Sequence, residues 1–346
     1  MSRSARIALL SAPAALLAAA LLWIAGWFAV AHLVEAQARG WMEQERAAGT
    51  RISHRRLAVE GFPLRWTLVA EGYAIARDAP QPQSASGPRL EAGIVPWDLS
   101  RVPLRFPGVH RLERDGLALE VEAARPDAVL ALRGDGRFAG IRAELGDVSL
   151  RVPGAAGAAR AARIVVDIRE IDPPDPATRS FLALSLSVAE LVPPPGTRAP
   201  FDRALRGGEI ELSLRGERAR TGTQAARIAA WRDSGGVLEM PRLRLDWPPV
   251  MVSGDGTATL DARNRPEAAL SLRIAGVPDL LQALSRAGLL PLQQAAMLGA
   301  LASGMARTDP ATGRAEVAVP VTAQNGRLSL AGIPVMRLQP LEFGPR

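Results

Sequence analysis

Three absences limit the chemistry of this 346-residue chain before any motif is read. It contains no Cys, so there is no disulfide framework, no thiol nucleophile and no thiolate metal site. It contains no Lys, which removes the phosphate-binding-loop lysine, Schiff-base chemistry and the Ser-Lys dyad. Only three His occur, His32, His54 and His110, and none stands in HxxxH or HExxH spacing. Aromatic residues are scarce, at 4%, which leaves little to stack on nucleic-acid bases. All 42 basic residues are Arg, interleaved with 35 acidic ones, so the net charge of +7 describes a solvated surface rather than a nucleic-acid footprint. No catalytic residue, metal ligand, cofactor or nucleic-acid partner is expected.

What the chain does have is a long apolar start. Ile7 to Val34, IALLSAPAALLAAALLWIAGWFAVAHLV, carries no charge and is long enough to cross a bilayer. Arg3 and Arg6 precede it, as in a signal peptide or a signal anchor. A cleavable signal has a shorter apolar core, so an uncleaved anchor is favoured, although Ala29-Val30-Ala31 resembles a cleavage site. The expected layout is a cytoplasmic tail over 1–6, a transmembrane helix over 7–34 and a juxtamembrane helix over 35–49 that ends at Gly49. A β-rich domain on the far side of the membrane follows over 50–346. Trp23, Trp27 and Trp41 are expected to form an interfacial aromatic belt.

Beyond Gly49 the apolar period changes to two. Leu117, Leu119 and Val121 alternate with polar or small residues, as do Leu182, Leu184, Leu186 and Val188, and Ile210, Leu212 and Leu214. The pattern continues in Leu243, Leu245 and Trp247, in Leu270, Leu272 and Ile274, in Val317 and Val319, and in Leu328 and Leu330. The expected fold is mainly β: an extended, curved antiparallel sheet or a sandwich. Gly134-Asp135-Gly136, Gly254-Asp255-Gly256 and Asp115-Gly116 are expected as tight turns, and the Pro-rich stretches near Pro173 and from Val192 to Pro200 as loops. Two helices, Gly276 to Gly288 and Pro291 to Ala306, are expected to form a hairpin over one face or one end of the sheet.

One stretch resembles an active-site motif. Arg232-Asp233-Ser234-Gly235-Gly236 differs by one residue from the GDSGG around the nucleophile of trypsin-like proteases. That nucleophile needs a His base, and neither His54, in ISHRR, nor His110, in GVHRL, stands in a matching context. The stretch reads instead as the end of a helix from Gln224, a turn, and the strand VLEMPRLRLDW.

The anchor, GFPLRW from Gly61, AWRDSGGVLEMPRLRLDW from Ala230, GDGTATLDARNRPEAALSLRIAG from Gly254 and NGRLSLAGIPVMRLQPL from Asn325 resemble the domain of unknown function 2125 family. This is a group of membrane-anchored envelope proteins of Gram-negative bacteria, and the resemblance covers nearly the whole chain. More loosely, the chain resembles AsmA-like envelope proteins, whose curved sheets are thought to hold or conduct lipid. The resemblance implies an inner-membrane location with the large domain in the periplasm and supplies no catalytic residues. It implies a structural or interaction role, with an envelope protein partner; the alternative is lipid binding along an apolar groove. Leu243, Leu245, Trp247, Leu270, Leu272 and Ile274 are the residues expected to line such a groove.

Overall fold

A computed structural model describes residues 3–78, 82–197, 204–219, 221–310, 313–341 and 343, with side chains from residue 17 onward. Met1 and Ser2 of the expected tail and the 198–200 end of the Val192 loop lie outside the described residues. The first element, α1 (Arg3–Ala47), is one unbroken helix that joins the expected span to the juxtamembrane segment. It ends where Gly49 takes φ 90° and its N–H bonds back to the Arg46 carbonyl.

Strands follow almost without interruption: β1 (Thr50–Ser53), β2 (Arg56–Glu60), β3 (Trp66–Arg77), β4 (Gln83–Ile94), β5 (Arg101–Arg105) and β6 (His110–Arg114). Longer ones come next: β7 (Leu117–Leu132), β8 (Phe138–Arg151), β9 (Ala158–Glu170), β10 (Ser180–Val192) and β11 (Leu205–Arg215). Helix α2 (Gln224–Asp233) leads into β12 (Val237–Trp247), β13 (Val250–Leu260) and β14 (Pro266–Ala275). The hairpin of α3 (Val277–Arg286) and α4 (Leu292–Met305) precedes β15 (Arg307–Thr308), β16 (Ala315–Gln324), β17 (Arg327–Leu330) and β18 (Ile333–Arg337).

These eighteen strands form one antiparallel sheet. From β7 to β14 every strand pairs with the next in sequence, and elsewhere partners are at most two strands apart. Among the described residues no register joins β18 back to β1 or β2. The expected alternation is therefore that of a long meander, and the sandwich alternative is not formed.

The surface area agrees. The chain exposes 21803 Å², against about 13,500 Å² for a compact monomer of this mass. The projecting α1 and the half-exposed strand rows both contribute to the excess. The two buried clusters are small and local. One joins Trp27 and Ala31 of α1 to Trp66, with Val30, Val59 and Ile94 against them. The other joins Ala123, Val148 and Ala161, on three consecutive strands.

A line of skipped residues crosses five strands. The β7–β8 register passes over Ala124 and Asp147, β8–β9 over Asp147 and Ala162, β9–β10 over Ala162 and Glu190, and β10–β11 over Glu190 and Arg206. Asp147 and Glu190 take φ of 53° and 50°. The skipped residues stand opposite one another, so the register is the same on either side of the line, while the alternation changes across it: Leu145 and Val148, and Val188 and Leu191, pack on one cluster. Along β10, Leu182 to Val188 share one face, and beyond Glu190 that face passes to Leu191, which pairs with Ala161 and Leu205.

Candidate functional site: an apolar face across the sheet

Residues directly opposite one another in a register share a face. From β2 the registers connect Val59 to Leu68, Ala92, Leu104, Ala128, Ala143 and Val166. They continue through Leu186, Ile210, Leu243, Gly254 and Leu272 to Val319. Thirteen strands thus contribute thirteen uncharged, apolar or glycine positions to one row. Twelve steps of about 4.8 Å make it about 58 Å long.

The chain neighbours of these residues face the other way and read differently. Glu91, Arg105, Asp127, Glu144, Glu209, Arg244 and Arg273 all belong to that second row. No member of the apolar row is exposed, yet apart from Ala128 and Gly254 none is fully buried. Such a face is sheltered but not filled.

The six residues expected to line a groove all lie on this face. Leu243 reaches Leu272 through Gly254, Leu245 reaches Ile274 through Val252, and Leu270 meets Gly256 and, beyond it, Met240; Trp247 pairs with Val250 at the end of the same set. The expected turn at Gly254 to Gly256 is not formed: these residues sit inside β13. Their glycines serve close approach instead. A Cβ on Gly254 would fall 2.7 Å from Leu272 Cδ2, and one on Gly256 2.5 Å from Leu270 Cδ2. The turns at Asp115-Gly116 and Gly134 to Gly136 form as expected.

At the α1 end the row is covered. Trp27 of α1 stacks on Trp66 with ring centroids 6.5 Å apart. Trp27 Nε1 donates to the Arg65 carbonyl at 3.1 Å, and Trp66 Nε1 donates to the Trp27 carbonyl at 3.0 Å. This corrects the expected aromatic belt: Trp27 is buried in the domain, and Trp41 stands about 27 Å along the helix from Trp23. At the other end α3 and α4 form the expected hairpin, but α4 buries Ala295 and leaves its larger apolar side chains out. Leu292, Met297 and Leu301 are 61–75% exposed.

Other groups that could carry chemistry are engaged locally. The Ser234 hydroxyl donates to the Trp231 carbonyl at 2.8 Å at the end of α2, and the Trp231 ring lies over Gly236, so the RDSGG stretch is a helix stop and turn. His110 is buried, with Nδ1 2.9 Å from the Tyr73 hydroxyl and Nε2 3.3 Å from the Pro107 carbonyl. Gly87 makes room for that ring. Burial pushes the Tyr73 phenol above its ordinary value. A cleft of about 1620 Å³ lies over the charged side of β11–β14, roofed by residues 304–310. Its Arg242 already pairs with Glu209 and Glu211 at 3.5 and 3.4 Å. Among the described residues no group of three or more His, Asp or Glu is placed to hold a metal ion.

An apolar helix long enough to span a bilayer, joined to an open antiparallel meander with one continuous apolar face, defines a class of β-rich protein with a candidate membrane anchor. Within that class the chain belongs to the bacterial family described as "Uncharacterized protein conserved in bacteria (DUF2125)", whose model matches residues 27–339. No curated protein and no solved structure matches it.

Proposed function

We propose that the chain is a non-enzymatic envelope protein, held in the bacterial inner membrane by α1 with its sheet in the periplasm, whose apolar face takes the acyl chains of a phospholipid or another envelope lipid. The observation that carries this reading is the unbroken row from Val59 to Val319. Large apolar faces left open on a soluble domain mark an interaction surface, and a narrow apolar track about 58 Å long fits extended hydrocarbon. Retention of the anchor is supported by Trp27, which is buried among the domain's own residues. Cleavage after Ala31 would strip cover from Trp66 and Val59.

A second reading, a structural role with an envelope protein partner, is favoured by the exposed α4 and by exposed Ile333, Val335 and Met336 on β18, which forms a sheet edge. The two part in one experiment. Full-length protein is purified from bacterial membranes in mild detergent, and native mass spectrometry with lipid extraction compares it with Leu272→Glu. Bound lipid on the wild type that is lost from a folded variant is the expected result. A folded wild type that carries no lipid would sink the acyl-chain reading, and a protein partner retained equally by both would favour the second.

A further inference from the structure

We propose that the loop Phe62-Pro63-Leu64 is a second membrane contact, seated in the interface of the bilayer that α1 crosses and on the same side as the sheet. The loop is fastened to the helix. Trp23 Nε1 donates to the Pro63 carbonyl at 3.1 Å, and Trp27 Nε1 donates to the Arg65 carbonyl. Phe62 stacks on Phe28 with centroids 6.0 Å apart. The exposed side chains of the pair, Trp23 and Phe28 from the helix and Phe62 and Leu64 from the loop, make one apolar patch continuous with Leu21 and Leu22 of the span.

Bilayer interior tolerates backbone only when its polar groups are satisfied within the protein. This loop meets much of that demand. Pro63 has no N–H, and the carbonyls of Gly61, Pro63 and Arg65 all accept hydrogen bonds from within the protein. Tryptophan sits naturally at headgroup depth, and the exposed Arg65 beside it suits anionic headgroups. The tight loop depends on Gly61, at φ 104°, where a Cβ would fall 2.7 Å from the Arg65 side chain.

The membrane boundary then lies near Trp23 and Trp27. The crossing segment becomes Ile7 to Gly26, about 30 Å of helix, shorter than the span to Val34 read from the apolar run. Ala29 to Ala47 stands outside the bilayer as a post beside β1–β3. Val59, the first residue of the apolar row, packs against the cluster of Trp27 and Trp66, so the row begins at the lipid surface.

The absence of Cys makes the test direct. Single-cysteine variants Leu22→Cys, Leu64→Cys and Leu117→Cys of the full chain are labelled with an environment-sensitive fluorophore. They are reconstituted in phosphatidylethanolamine–phosphatidylglycerol vesicles that contain shallow nitroxide-labelled lipid. All three native side chains are exposed, so the substitutions leave the folded domain intact. The expected result is quenching at 22 and at 64, several-fold stronger than at 117. Quenching at 22 but not at 64 overturns the proposal and leaves the anchor standing. No quenching at 22 overturns both. Equal quenching at all three positions means that the whole domain lies on the membrane, and the proposal of a localised contact fails. The outcome does not depend on whether the sheet holds lipid.

Discussion

Val59 and Leu272 occupy the same row of the same sheet face, near its two ends, and their surroundings differ in one respect. Over Val59 lies α1, which brings Trp27 and Ala31 against Trp66 and closes a small core. Over Leu272, among the described residues, no element forms such a cluster. Alternation alone does not decide whether an apolar strand face becomes a core or a binding surface. What decides it is whether the chain supplies a cover, and here it supplies one at the α1 end.

That contrast can be broken in order of expected effect. Trp66→Ala removes the stacking partner of Trp27 and its hydrogen bond, and should cost about 3–5 kcal/mol in denaturant unfolding. A loss under about 1 kcal/mol would mean that α1 does not close a core there. The matched pair is sharper. Val59→Glu buries an unpaired carboxylate under α1 and should cost at least about 2 kcal/mol, whereas Leu272→Glu, half-buried on a stretch with no such cover, should cost about 1 kcal/mol less. Equal losses would show that both ends are cores.

The smallest expected effect is a pH dependence. Burial raises the Tyr73 phenol, so the fold favours its neutral form. The associated stability is fully present below the ordinary tyrosine value and is lost as pH rises through the higher folded value. Tyr73 is the chain's sole Tyr, so tyrosinate absorbance reads it alone. Tyr73→Phe should remove that alkaline decline while costing about 1 kcal/mol at neutral pH for the bond to His110.

Part of this architecture was legible in the sequence because it is local. Alternation located β7, β10, β11, β12, β14, β16 and β17 but not β3, β4, β8, β9 or β13, and Ser234 and Gly235 mark the stop of α2; its cap, the Thr223 hydroxyl accepting from the Ala226 N–H, was found only in the structure. What stayed hidden was relational. Asp147 and Glu190 reverse the alternation through positive φ, which acidic side chains do not advertise. The glycines at 254 and 256 carry the composition of a turn yet serve close packing by Leu272 and Leu270, a fact visible only once β13 and β14 are in register. Trp27 reads from the sequence as a member of an interfacial aromatic belt, because its partners lie 38 and 39 residues away at Arg65 and Trp66. The six candidate groove residues were found by period; their union with rows from β2 to β11 needed the registers.

The nearest-neighbour pairing of the meander bears on how the protein is made. Each hairpin closes over a short stretch of chain, and local contacts of this kind form fast. A chain synthesised N-terminus first can therefore zip its strands in the order in which they arrive, with α1 and β1–β4 in place before the last hairpins have been synthesised. Each new hairpin covers the edge left by the one before it, which limits the time for which any inner strand could recruit a wrong neighbour.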